Sequence, residues 1–362
     1  MDYKVKSNIL SSVYRDVCEI AEAEFIDWDK LKNSTVFITG ANGFISSHLV
    51  LALLTRNDLY NDNINVTALV RNRDKAEKKF GSMLLRDDLK LCVQDVSDPI
   101  EADRADYIIH AASQASNIQF DTDPVGTISA NLTGTSRVLD FSVKSKAKST
   151  IIISSLKVYG EVYGRKGYLV EEDEGYLDFT SYKNCYAMGK RASETLAASY
   201  IKEYGLDVKL CRPAYIYGAS SLEDDRVWAQ FIANVVKKEN ILLKSNGAAN
   251  RSFCYVTDTA SAILCVLLNG ENGFPYNIAY EKSNTTIRGF AKTACEVFPE
   301  RNISLSFANP EDEKEPEVLK TPLSTEPEIL DSTRLKKLGW IPKVDLKEGI
   351  KRAVAVLEEQ NS

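Results

Sequence analysis

Histidine is nearly absent from this chain. Its 362 residues hold only His48 and His110, both set in apolar runs, which argues against a histidine-based metal site and against a Ser-His-Asp triad. Signals for cysteine pairing are missing too. The seven cysteines (Cys18, Cys92, Cys185, Cys211, Cys254, Cys265 and Cys295) form no CxxC and are odd in number. They read as free, mostly buried thiols in a reducing compartment. Cys185 invites a nucleophilic reading beside Tyr186, but packing is the simpler role. No run of about 18 apolar residues marks a membrane span, and the opening MDYKVKSNIL lacks the apolar stretch of a signal peptide. A soluble cytoplasmic protein is the expectation, with no membrane partner and no metal. Basic residues are not in excess: 45 Lys and Arg against 51 Asp and Glu leave a net charge of -6. That argues against nucleic acid as a partner while allowing a local phosphate pocket.

What is present is an ordinary globular composition, 44% hydrophobic and 27% charged, long enough for two lobes. The stretch Ser181 to Leu196, SYKNCYAMGKRASETL, puts Tyr186 and Lys190 one turn apart on one face if it is helical. A tyrosine that exchanges protons near neutral pH must overcome its ordinary pKa of about 10. Lowering it by about three units takes roughly 4 kcal/mol, which a neighbouring ammonium and a hydroxyl donor can supply. Lys190 is the candidate ammonium. Ser154 and Ser155, following Ile151 to Ile153, are the candidate hydroxyls. Alone, Tyr-x-x-x-Lys reads as a helix-surface pair; its company along the chain changes that.

Ile9, Val13, Val17 and Ile20 recur at helical spacing within residues 8 to 30, predicting an amphipathic helix that packs on the main domain or on a partner subunit. Thr35 to Thr39 then reads as a buried strand, Gly40-Ala-Asn42-Gly43-Phe44-Ile45-Ser46 as a glycine turn, and Ser47 to Leu54 as an apolar helix. Glycines admit a pyrophosphate close to the backbone, and a helix N-terminus favours its charge. The next strand, Val66 to Val70, ends in Arg71-Asn-Arg73, where an acidic residue usually holds the ribose of NAD. Two arginines there fit the 2′-phosphate of NADP or are solvated loop charges. Further strands fall at 89–94, 107–109, 151–153 and 207–211, and a helix over Pro124 to Lys144 has Ile128, Leu132, Val138 and Leu139 assigned to its inner side. This alternation specifies an α/β fold, a Rossmann-type doubly wound parallel sheet with a smaller C-terminal α/β substrate-binding lobe. The expected division is an N-terminal helical extension over 1–33, a dinucleotide-binding domain over 34–212 and a substrate-binding lobe over 213–362, with the chain crossing between lobes. Gly40, Asp95, Ala111, Ser155 and Pro213 all follow strands and should line one crevice. Residues 309–328, acidic and proline-bearing, are expected to form a mobile loop.

An ordered set of motifs then accumulates: TGANGFI at 39–45, Asp95-Val96, HAA at 110–112, Asn131 with Gly134-Thr135, SSLKVYG at 154–160, YAMGK at 186–190, RPAYIYG at 212–218, RSFCYVTD at 251–258 and LGWIP at 338–342. Together they resemble an extended short-chain dehydrogenase/reductase of the nucleotide-sugar epimerase/dehydratase group, over residues 34 to 358. The resemblance implies NAD or NADP held by Gly40, Asn42, Gly43, Phe44, Ile45, Arg71, Asp95, Val96, Ala111, Ala112, Asn131 and Pro213, with Tyr186 and Lys190 also touching the cofactor. It implies catalysis by Ser155, Tyr186 and Lys190, and a nucleotide-sugar substrate met by Ser116, Lys157, Tyr215 and Arg251. It also implies a homodimer through a four-helix interface. Departures narrow the reaction. Ser46 replaces the third loop glycine. Leu156 and Lys157 stand where dehydratases carry Asp-Glu, leaving Lys157 as a base at carbon 5, a phosphate contact or a surface charge. Tyr215 stands where an Asn is common. Epimerisation at carbon 4 ranks first, an NADPH-dependent 4-keto-sugar reductase second, and a 4,6-dehydratase or decarboxylase third. A cofactor-binding scaffold without activity is the alternative from another class.

Overall fold

The structure is a computed structural model describing residues 3–162, 167–314 and 328–362. Most of the acidic stretch expected to be a loop, 315–327, lies outside the described residues. Of its flanks, Pro310–Glu313 is a single 3-10 turn.

Seven short strands form one parallel sheet. They are β1 (Thr35–Thr39), β2 (Asn65–Val70), β3 (Leu89–Val93), β4 (Tyr107–His110), β5 (Ser149–Ile153), β6 (Val208–Pro213) and, after four minor strands, β11 (Pro275–Ile278). Their order is β11-β6-β5-β4-β1-β2-β3. The β-branched runs expected as strands are these strands, because both sheet faces are covered and every side chain must be apolar or bonded. The pleat sorts them: Val36, Ile38, Ile109, Ile151 and Ile153 face one core, while Phe37, Ile108 and Ile152 face the helices opposite. Register brings the carboxyl ends level, with Thr39 beside His110 and Ile153 beside Cys211. The strand order reverses between β1 and β4, which opens a crevice there.

On the first face lie the helices Phe44–Tyr60 and Val256–Asn269, joined by the N-terminal helix Ser11–Ala21. Val17 and Ile20 of that helix are fully buried, and buried Asp16 accepts from the Tyr255 hydroxyl at 2.8 Å. It therefore packs on its own chain. The Glu359 carboxylate of the final helix, Leu346–Asn361, accepts the backbone N–H and the hydroxyl of both Ser11 and Ser12.

The opposite face carries Pro124–Ser145 and Cys185–Tyr204. Here one expectation is corrected. Val138 and Leu139 point inward, but Ile128 and Leu132 face outward, 37% and 41% exposed. The inner stripe at that level belongs to Thr127, Asn131, Gly134 and Thr135. The two helices approach so closely that a Cβ on Gly189 would sit 2.9 Å from the Asn131 Cβ, and Ser193 donates to the Asn131 carbonyl at 2.7 Å. Small and polar residues fit that contact; Ile and Leu do not.

Past β6 the chain forms paired short strands. β7 (Tyr215–Tyr217) runs parallel to β10 (Phe253–Tyr255), β8 (Ile241–Leu243) pairs with β13 (Leu305–Phe307), and β9 (Asn250–Arg251) pairs with β12 (Thr285–Thr286). They sit above the carboxyl ends of the main sheet, with the helix Val227–Lys237 beside them.

Candidate active site

β5 ends at Ile153, and Ser155 opens the 3-10 turn Leu156–Tyr159 by accepting the Lys157 N–H at 3.2 Å. A 3-10 turn over Tyr182–Asn184 leads into the helix at Cys185, later than the expected start at Ser181. Tyr186 therefore sits in the first turn, half-buried, its ring stacked on Phe120 with centroids 4.9 Å apart. Lys190 follows one turn on, buried, and its Nζ donates to the Ile153 carbonyl at 2.7 Å while standing 5.7 Å from the centre of the Tyr186 ring. Ser155, Tyr186 and Lys190 share one cavity of about 580 Å³.

The electrostatics bring a second lysine to the phenol beside the expected Lys190. Burial raises the Tyr186 pKa, and what opposes it is a hydrogen bond with the Ser155 hydroxyl and the charge of Lys157. Lys190 is itself pushed down to about 7, because burial disfavours its charge more than Glu194 restores it. Lys157 thus joins Lys190, whose Nζ stands 5.7 Å from the Tyr186 ring, as a cation near the phenol.

Behind the cavity floor, Glu194 ties three elements together. It accepts from the Ser154 hydroxyl at 2.5 Å and from Arg212 through two nitrogens at 2.9 and 2.6 Å. Arg212 also donates to the Tyr159 hydroxyl and the Glu171 carbonyl. Such a forked, buried pair fixes the orientation of β5, β6 and the Tyr186 helix.

Above β1 the backbone makes the turn read from the glycines. Gly40 has φ +61, and a Cβ there would lie 2.9 Å from the Ala112 Cα, so both the conformation and the close approach require glycine. The Thr39 hydroxyl accepts the N–H groups of Ala111 and Ala112 at 3.1 and 3.0 Å, tying β1 to β4, and lies 2.8 Å from His110 Nδ1. Gly43 caps the 17-residue helix Phe44–Tyr60 without any side-chain acceptor. Gly43, Phe44, Ile45 and Ala111 line the same cavity as the catalytic candidates, and so does Pro213. Gly40, Asn42, Ala112 and Asn131 do not. Asn131 is fully buried, accepting from the Ser113 hydroxyl and donating to the Thr127 carbonyl. Val96 packs against Gly134 beside it. Arg71 and Asp95 stand 4.0 Å apart at the ends of β2 and β3, on the exposed rim, while Arg73 leans on Glu77 one turn along its own helix.

The far wall carries Lys157, Tyr215 and Arg251, all lining the cavity. Ser116 lies away from it, capping the short helix Asn117–Thr122 by accepting the Gln119 N–H. Two residues escaped sequence reasoning. Glu328 bonds Lys157, Tyr215 and Arg251 at once; no local pattern marks it. Arg226 lines the cavity with its guanidinium 5.2 Å from the Phe44 ring and 4.5 Å from Trp228, held by Asp224. Its signal was available in the run Asp224-Asp225-Arg226-Val227-Trp228, which reads only as the start of a helix.

The profile of the NAD dependent epimerase/dehydratase family matches residues 36–279. The chain belongs to that family. Among its relatives is UDP-glucuronic acid decarboxylase 6 of Arabidopsis thaliana, 30% identical over 320 residues, covering 88% of this chain and 87% of the relative. Among solved structures, UDP-glucose 4-epimerase of Thermotoga maritima superposes with a TM-score of 0.73 at 24% identity, over 91% of this chain and 100% of that one. The dTDP-glucose 4,6-dehydratase DesIV of Streptomyces venezuelae superposes with 0.71 at 23%, over 90% and 98%. Both share the fold.

This family is NAD-dependent, and the site fits a dinucleotide. A glycine turn that a Cβ would fill stands before a helix N-terminus with no capping side chain, and that N-terminus opens into the cavity. Its free N–H groups suit a pyrophosphate. Among the described residues no cluster of His, Cys, Asp or Glu is arranged for a metal, the buried histidines being depressed to about 4 and about 3. No helix among them is long and apolar enough to cross a membrane.

Proposed function

We propose that this family member interconverts the carbon-4 epimers of a nucleotide-linked hexose, with NAD retained through the cycle. One observation carries the reading: Ser155, Tyr186 and Lys190 face a shared cavity that, among the described residues, no Asp or Glu lines. Expelling water from carbon 6 needs an acid for the leaving hydroxyl and a base for carbon 5. Leu156 is buried and Lys157 is held as a cation by Glu328, so neither serves. Epimerisation needs only reversible proton exchange at one hydroxyl.

In this reading Tyr186 accepts the carbon-4 hydroxyl proton and returns it. Ser155 holds the reacting oxygen and stabilises the phenolate. Lys157 adds positive charge on the substrate side and Lys190 on the cofactor side. Bound NAD supplies the acceptor, then the donor, of the carbon-4 hydride. Gly43, Phe44 and Ile45 would hold its pyrophosphate, with Gly40 and Asn42 shaping the turn before them, Arg71, Asp95 and Val96 would hold its adenosine, and Ala111 and Pro213 would flank the rest, backed by Ala112 and buried Asn131. Lys157, Tyr215 and Arg251 would meet the nucleotide sugar, with Ser116 kept to its capping role, and the parts of 213–362 outside β11 and the helix Val256–Asn269 would form the substrate-binding lobe. A homodimer through the Pro124–Ser145 and Cys185–Tyr204 helices belongs to the same reading, supported by exposed Val125, Ile128 and Leu132 on the outer face.

A second reading is decarboxylation of a nucleotide-linked uronic acid, favoured by the Arabidopsis relatives. A β-keto acid loses carbon dioxide without the acid and base that dehydration demands. The experiment is to purify the protein, identify any nucleotide it releases, and incubate it with UDP- and dTDP-linked hexoses and uronic acids, reading products by NMR. Carbon-4 epimers with no net cofactor consumption support epimerase. A UDP-pentose with carbon dioxide supports decarboxylase, and consumption of NADPH supports a 4-keto-sugar reductase.

A further inference from the structure

Both cations on the far wall of the cavity are engaged by one carboxylate. Glu328 Oε1 accepts from Lys157 Nζ at 2.8 Å. Its Oε2 accepts from the Tyr215 hydroxyl at 2.9 Å and lies 2.6 Å from Arg251 Nη1. The Tyr215 ring stands between the two cations, 5.5 Å from Lys157 Nζ and 5.4 Å from the Arg251 guanidinium. Lys157 Nζ also donates to the Tyr215 hydroxyl at 3.1 Å and Arg251 Nη1 to the Asn250 carbonyl at 2.8 Å, so Glu328 is the one acceptor that all three side chains share. An oxyanion site has formed, and a carboxylate of this same chain fills it.

That carboxylate does not brace the fold in the manner of Glu194. The backbone at 328–330 is anchored independently: Ser252 N–H donates to the Glu328 carbonyl, Leu169 N–H to the Ile329 carbonyl, and Leu330 N–H to the Ser252 hydroxyl. None of these bonds uses the Glu328 side chain. It is 27% exposed, against 46% for Lys157 and 21% for Arg251, so water reaches the cluster. Lys157, Tyr215 and Arg251 line the cavity, while Glu328 reaches them from outside its lining. A ligand oxyanion entering the cavity meets donors already taken by a negative group a few ångströms away, and like charges that close repel strongly in a half-dry site.

We propose that Glu328 is a resident counter-anion of the substrate pocket, competing with a substrate oxyanion for Arg251 and Lys157 and so setting how tightly the nucleotide sugar is held. This rests on the nucleotide-sugar reading above. The oxyanion is either the diphosphate or a sugar carboxylate; both offer oxygens to an arginine fork and an ammonium. Competition gives a distinctive sign. Removing a group that merely oriented the cations would weaken binding, whereas removing a competitor tightens it.

The test is calorimetric titration of the NAD-loaded protein and of Glu328→Gln and Glu328→Ala with UDP, UDP-glucose and UDP-glucuronic acid. Both variants are expected to bind at least one of these about tenfold tighter than the wild type. Equal tightening for all three assigns the displaced position to the diphosphate. Tightening confined to UDP-glucuronic acid assigns it to the sugar carboxylate. Glu328→Asp, which keeps the charge, should stay near the wild type. Unchanged or weaker binding in folded Glu328→Gln overturns the inference. Wild type that binds none of the three probes overturns the nucleotide-sugar reading, and the inference with it.

Discussion

The floor of the cavity and its far wall each centre on a glutamate that holds an arginine, and the two behave differently. Glu194 and Arg212 are each about one-eighth exposed and are supplied by a helix and a core strand. Their remaining bonds go to Ser154, Tyr159 and backbone. Glu328, Arg251 and Lys157 come from short or irregular segments, and all stay partly open to water. The same ion-pair chemistry is therefore scaffold in one place and exchangeable in the other. What decides is whether the charges have anywhere else to go: a sealed pair has no alternative partner, but an open pair does.

The largest effect separating floor from wall should come from Tyr186→Phe. With Ser155 and Lys190 intact, kcat is expected to fall by about 100- to 10,000-fold while NAD affinity, measured by fluorescence titration, holds. Equal loss of both would mean that the floor binds rather than reacts. Next is Glu194→Ala, which strands Arg212 in the interior and should cost about 3–5 kcal/mol of stability, read by urea denaturation. Glu328→Gln, by contrast, should cost under about 1 kcal/mol; if the two cost the same, the distinction between scaffold and exchangeable pair fails.

A smaller effect concerns pH. Burial lowers Lys190 to about 7. Between that value and its unfolded pKa of about 10.4 the unfolded chain holds more protons, so this site makes stability rise with pH across the window. Below about pH 7 the full penalty of a buried charge is present. The stability gained by Lys190→Met over the wild type, in cofactor-stripped protein, should thus be largest near pH 6 and shrink toward pH 10. Lys157, raised in pKa by Tyr215 and Glu328 against the effect of burial, should give no such slope over that range.

The floor was also the more legible half. Its parts are local: a glycine turn between a strand and a helix, two serines after an isoleucine run, Tyr186 and Lys190 one turn apart. Each is dictated by backbone geometry within a few residues, and the parallel sheet then brings the strand ends level. The far wall depends on distance in sequence. Lys157 meets Glu328 171 residues away, and nothing near either residue announces the other. Hence the spacing of Tyr186 and Lys190 shows in the sequence, whereas the charge that Lys157 adds near the phenol shows only in the fold. Ile128 and Leu132 were misassigned for a related reason. Apolar periodicity suggests which side of a helix is buried, but the close contact with Gly189 reverses it at that level, and only the packing of two helices reveals that.

One feature far from the chemistry bears on how the molecule is made. Ser11 and Ser12 are synthesised 348 and 347 residues ahead of Glu359, the residue whose carboxylate closes their helix. During synthesis the Ser11–Ala21 helix has to wait, its leading N–H groups wetted by solvent, until Glu359 has been made. Its closure therefore follows the appearance of the Leu346–Asn361 helix, and a chain stalled before that point would leave the end of the Ser11–Ala21 helix uncapped.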